Sequence, residues 1–145
     1  MNEEDKGVVG MPGKILIIED HDDFRSVIRK HLESQPLDLE IFEASSGELG
    51  ISKALREKPQ IILMDIRLPG ISGMEAAGKI KKFLPAVEII VLTMFETDAF
   101  QKVFKTDDVT VYIGKSELYE RLVPEIKKIF RRIKRTHNGE ATHDG

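Results

Sequence analysis

The chain has 145 residues, 41% of them hydrophobic and 32% charged, with 22 Lys and Arg against 25 Asp and Glu. That is enough chain for one domain with its own core, too apolar and too nearly neutral for a disordered polymer. The absence of cysteine excludes disulfide scaffolds, thiolate metal sites and cysteine nucleophiles, and no apolar run approaches the ~18 residues that span a bilayer. The acidic start, Met1-Asn2-Glu3-Glu4-Asp5, is unlike a secretory leader, so a cytoplasmic location with no membrane partner is expected.

In chain order, Ile15–Ile18 is the first short apolar run and predicts a strand. Asp22 and Asp23 then open a helical stripe of Phe24, Val27, Ile28, His31 and Leu32, with acids where a helix N-terminus favours them. Leu39–Phe42 partly alternates and predicts a strand near a sheet edge. Ser45 with Glu48 matches a capping box and predicts the next helix start. Ile61–Met64 is a third strand, and Ser72 with Glu75 caps a helix that ends before Pro85. Val87–Leu92 is a fourth strand, and Ala99, Phe100, Val103 and Phe104 form a fourth helical stripe. Val109–Ile113, again alternating, predicts an edge strand. Leu118, Leu122, Ile126, Ile129, Phe130 and Ile133 mark the last helix, expected to run mainly from Pro124 with Ser116 to Val123 as a looser first turn.

Strand and helix thus alternate five times, which predicts right-handed crossovers and a parallel sheet covered on both faces. The expected domain is 14–135, with flexible polar segments at 1–13 and 136–145. The basic run Lys127, Lys128, Arg131, Arg132, Lys134 and Arg135 reads as a solvated face of the last helix.

Ligands of open α/β sheets bind beyond the carboxyl ends of the strands. The residues there are Glu19 and Asp20 after the first strand, Asp65 after the third, Thr93 after the fourth and Lys115 after the fifth. Carboxylates gathered in one cleft call for a cation, and oxygen-only donors suit Mg²⁺. An aspartate beside Mg²⁺, a lysine and a hydroxyl is a candidate nucleophile toward phosphorus. Asp65 stands alone at a central strand end and is the best such candidate, while the pair Glu19 and Asp20 reads as metal ligands.

These segments together resemble the receiver domains of two-component response regulators: Ile15–Asp20, Asp65-Ile-Arg-Leu-Pro-Gly-Ile-Ser-Gly73, Val91–Thr93 and Tyr112–Ser116. The resemblance covers roughly residues 14–133. It implies a flavodoxin-like, doubly wound (βα)5 fold with strand order 2-1-3-4-5. It also implies Asp65 as phosphoacceptor, and Mg²⁺ held by Glu19, Asp20, Asp65 and the backbone carbonyl of Arg67. Thr93 and Lys115 would contact the phosphoryl group, and Thr93 and Tyr112 would take part in switching. The implied donor is a sensor histidine kinase or phosphotransfer protein, and a homodimer through the helix 4–strand 5–helix 5 face is possible in this family. DNA would be reached only through an output domain, which this chain is not expected to contain.

On this reading the protein is a signalling phosphoacceptor and not an enzyme. A degenerate receiver acting as an interaction module, and a Mg²⁺-dependent aspartyl-phosphate phosphatase, are the alternatives. The latter resembles a D-x-D motif, and here Arg67 holds the second acid's position. The family often has two glycines before the strand-five lysine, where this chain has Asp107-Asp108-Val109-Thr110-Val111-Tyr112, and Ser116 stands where many relatives have proline.

Overall fold

A computed structural model describes residues 11–94 and 106–137. Five strands, β1 (Gly13–Ile18), β2 (Leu39–Ala44), β3 (Ile61–Asp65), β4 (Glu88–Thr93) and β5 (Val111–Gly114), form one sheet. All neighbouring pairs are parallel and the order is β2-β1-β3-β4-β5, as expected. Among the described residues, the helices between strands are α1 (Asp22–Glu33), α2 (Gly47–Glu57) and α3 (Gly73–Phe83). A 3-10 turn, Lys115–Glu117, leads into the C-terminal helix, Leu118–His137.

The apolar runs are continuous because the inner strands are covered on both sides. Ile15, Ile17, Leu63, Ile90 and Leu92 pack with Ile28 and Leu32 of α1 and with Leu122, Ile126 and Phe130 of the C-terminal helix. Leu16, Ile18, Ile62, Met64 and Val91 face the other way, against Ala54 of α2 and Ala76, Ala77 and Ile80 of α3. The two alternating runs, β2 and β5, are the sheet edges.

Several local expectations need correction or placement. The cap of α2 is Ser46, not Ser45: Leu49 N–H donates to Ser46 Oγ at 3.1 Å. Glu48 does not close a box there, since its Oε2 accepts from Ile71 N–H in the loop after β3. Second, the C-terminal helix starts at Leu118 and carries Pro124 inside it. Burial of Leu118, Leu122 and Val123 holds the turns before Pro124 helical despite the missing amide. Finally, the expected fourth helix, with Phe100 and Phe104, and with it part of the suggested dimer face, lies outside the described residues. Of the segments expected to flank the domain, Gly13 belongs to β1, and Thr136 and His137 belong to the C-terminal helix.

Among the described residues no helix is long and apolar enough to cross a membrane.

Candidate functional site

Strand register brings the predicted residues level. Ile18 pairs with Met64, so Glu19 follows β1 at the height of Asp65, the last residue of β3. Asp65 pairs with Leu92, one residue short of Thr93, and Thr93 pairs with Gly114, one short of Lys115. Four strand ends therefore deliver their polar residues to one edge of the sheet.

The side chains converge. Carboxylate oxygens of Glu19, Asp20 and Asp65 lie within 4.8 Å of one another. Lys115 Nζ sits 3.1 Å from Glu19 Oε1 and 3.4 Å from Asp65 Oδ2. Glu19 is 1% exposed, Asp65 7% and Thr93 0%, whereas Asp20 is open to solvent. The second oxygen of each buried acid is met by backbone. His21 N–H donates to Glu19 Oε2 at 3.1 Å, and Arg67 N–H donates to Asp65 Oδ1 at 3.2 Å.

Burial pushes the Glu19 carboxyl up to about 7, and the Asp65 charge adds to the rise; the His21 amide and Lys115 oppose it. One ammonium does not offset three acids at such short range. An all-oxygen donor set with one open member therefore fits a small hard divalent cation such as Mg²⁺, and offers no nitrogen or sulfur to a softer metal.

The backbone around these acids is fixed from both sides. Ser72 caps α3 by accepting from Glu75 N–H. A Cβ on Gly73 would lie 2.4 Å from the Asp65 carbonyl oxygen and 2.9 Å from Ile66 Cα, so the stretch from Asp65 to Gly73 closes on itself only with glycine there. Gly70 turns the loop at a φ of +76°, and Glu48 of α2 holds the next amide, Ile71 N–H, at 3.2 Å.

The turn after β1 has its own anchor, which the sequence pattern does not disclose. Arg25 Nη1 donates to the Glu19 carbonyl at 2.7 Å, its Nε to Glu43 Oε1 at 2.8 Å and its Nη2 to Asp22 Oδ1 at 2.8 Å. Arg29 donates to the other Glu43 oxygen at 2.7 Å. Burial would raise the Glu43 carboxyl, but the bonds from Arg25 and Arg29 outweigh it and the net shift is downward. An arginine one turn into an amphipathic helix looks like any solvated residue, and its partner on β2 becomes visible only in three dimensions. His21 carries no ligand spacing in the sequence either; its Nδ1 caps α1 by accepting from Phe24 N–H.

Tyr112 is buried in β5, and burial, then the charge of Asp108, raises its phenol. The Lys115–Ser116 peptide is trans. Met94, directly after Thr93, is 83% exposed at the rim.

A doubly wound parallel sheet with an acidic trio and a lysine at its carboxyl edge is the design of an aspartyl phosphoacceptor. The chain belongs to the response regulator receiver domain family, whose pattern it matches over residues 15–127. It is 31% identical over 117 residues to the response regulator GacA of Pseudomonas aeruginosa, covering 81% of this chain and 55% of that protein. It is 33% identical over 132 residues to the response regulator protein VraR of Staphylococcus aureus, covering 90% and 59%. The chain thus spans little more than half the length of these curated relatives. Among solved structures, the response regulator TrrA of Thermotoga maritima, in complex with Mg²⁺ and BeF, superposes with a TM-score of 0.73 at 28% identity, covering 81% of this chain and 98% of that one. A LuxR-family response regulator from Aurantimonas gives 0.74 at 26% identity, covering 90% and 96%.

Proposed function

We propose that Asp65 accepts a phosphoryl group from a phosphohistidine donor, a sensor histidine kinase or a phosphotransfer protein, and that the protein is a signalling switch and not an enzyme acting on an external substrate. The observation that carries this is the meeting of three acid groups within 4.8 Å, with Lys115 Nζ at 3.1 and 3.4 Å from two of them.

In the transfer an Asp65 carboxylate oxygen attacks phosphorus in line with the leaving group. The P–N bond to the donor imidazole breaks, its electron pair stays on that nitrogen, and the imidazole takes up a proton from solvent. With acetyl phosphate the P–O bond breaks instead and acetate leaves. Lys115 moves from pairing acids to pairing a phosphoryl oxygen, and the buried Thr93 hydroxyl holds another. Glu19, Asp20, Asp65 and the Arg67 carbonyl would hold Mg²⁺, which would supply positive charge against the phosphoryl oxygens when bound. The switch then runs through Thr93 to Tyr112, whose strand lies beside Thr93, so that a phosphorylated receiver presents a different face to its target.

Intact mass after incubation with acetyl phosphate and Mg²⁺ tests this. Wild type should gain one phosphoryl group, and Asp65→Asn or an EDTA control should gain none. A wild type that stays unmodified, and that also fails to bind beryllofluoride while folded, would leave the interaction-module alternative.

A further inference from the structure

The Lys115 ammonium has a third neighbour besides Glu19 and Asp65: it lies over the ring of Phe24, 4.5 Å from the centroid. Phe24 is in the first turn of α1, where its own amide is tied to the His21 cap at 3.2 Å. The ring also packs on the core cluster that holds Ile28 and Leu32, so its position is fixed from two sides.

We propose that Phe24 is a positioning residue for Lys115, holding the ammonium at the phosphoacceptor by the negative face of its ring. The physical need is specific. A helix N-terminus carries partial positive charge, the wrong sign to sit near a lysine that must stay charged. An aromatic face reverses that sign locally while excluding water, and at 4.5 Å it lies well inside the ~6 Å range of a cation–π contact. A lysine side chain has four rotatable bonds to immobilise, and Lys115 is only 18% exposed. With two acids on one hand and a ring on the other, the ammonium is held ready for an incoming phosphoryl oxygen.

The inference rests on the phosphoacceptor reading of Asp65, and its test separates the two. Wild type, Phe24→Leu and Phe24→Tyr are compared with full-length protein carrying mono-, di- and trifluorophenylalanine at position 24. Fluorines drain the ring's negative face with little change of volume. The rate of phosphorylation by acetyl phosphate with Mg²⁺ is followed by mass over a range of donor concentrations, together with thermal midpoints. Phe24→Leu should lower the maximal rate on the order of tenfold, and Phe24→Tyr should restore most of it. The fluorinated series should decline stepwise at a constant melting temperature. A flat fluorine series, or a Phe24→Leu protein as fast as wild type, overturns the proposal and leaves the ring a packing residue.

A second readout does not require phosphorylation. The Lys115 ε-CH₂ proton signals, assigned with Lys115→Arg, should be shifted upfield by the ring current in wild type and return to the ordinary lysine position in Phe24→Leu. An unshifted wild-type signal also overturns the proposal. A shifted signal in a folded protein that takes no phosphoryl group and binds no beryllofluoride would instead overturn the Asp65 reading and retain the Phe24–Lys115 contact.

Discussion

Glu19 places a carboxyl in the interior of the site. It is almost fully buried, its partner Lys115 is shared with Asp65, and its carboxyl is raised from 4.5 to about 7 by burial first and the Asp65 charge after it. A folded-state value above the unfolded one means that the native protein holds a proton the unfolded chain has lost. The contribution of this group to stability is therefore fully present below about 4.5 and is lost as pH rises through about 7. In EDTA, wild-type unfolding free energy should fall between pH 5 and pH 8 relative to Glu19→Gln, by on the order of 1–3 kcal/mol. The readout is the difference in slope, because the amide nitrogen of Gln cannot accept the hydrogen bond that one Glu19 oxygen takes from His21 or Lys115 and this adds an offset that does not change with pH. Urea melts at the two values decide it, and parallel pH profiles for the two proteins would remove Glu19 as the titrating group. The same residue also shows what a sequence can disclose. Its place after an apolar run marks it as a site residue, but the burial that perturbs it comes from strands and helices far along the chain.

At the level of elements, α3 offers two glycines with opposite expectations. Gly73 opens the helix against the Asp65 carbonyl, where an added Cβ would meet backbone at 2.4 Å, with no flexible side chain to yield. Gly78 lies mid-helix, where the nearest atom to an added Cβ is Asp108 Oδ2 at an ordinary 3.5 Å. Gly73→Ala should destabilise by about 1–3 kcal/mol and slow phosphorylation, since the backbone at the end of β3, where Asp65 sits, has to move. Gly78→Ala should stabilise by about 0.5–1 kcal/mol through loss of unfolded-state freedom, with phosphorylation unchanged. Paired urea melts check both: a neutral or stabilised Gly73→Ala would refute the close-approach argument there, and a destabilised Gly78→Ala would refute the open space assigned to Gly78. Gly73 is legible as the end of the Asp65 motif, though not the contact that requires it. Ser46 escapes the local pattern for a related reason: S-x-x-E selects Ser45 with Glu48, while Glu48 is committed to Ile71 on another loop. Local patterns locate elements well and fail by a residue where a side chain is claimed from elsewhere. Pro124 makes the same point, since propensity starts the last helix there and burial of Leu118 and Leu122 starts it earlier.

Over the whole molecule, the parallel sheet agrees with the alternation of strand and helix, its strand order agrees with the family resemblance, and the site is a product of the sheet. Parallel strands in register with one another leave their polar successors along one edge, so the acidic trio and Lys115 are readable from the residues just past each apolar run. Arg25, Glu43 and Phe24 are not, because nothing in their local spacing distinguishes them from ordinary surface and core positions. The assembled edge stores unfavourable charge: three carboxylates face one ammonium, and the sheet that gathers them is held by two apolar layers that do not depend on them. A ligand that binds only the folded form raises its stability by mass action. Millimolar Mg²⁺ should therefore raise the wild-type melting temperature by a few degrees, about the shift that one kcal/mol gives a domain of this size. Asp20→Asn should abolish most of that rise. Its metal-free melting temperature should match or slightly exceed wild type, because Asp20 is exposed and its removal relieves repulsion without opening the core. Scanning calorimetry with and without EDTA separates these terms. An equal Mg²⁺ response in the two proteins would place the cation elsewhere, and a large metal-free loss in Asp20→Asn would show that the acid supports the fold itself.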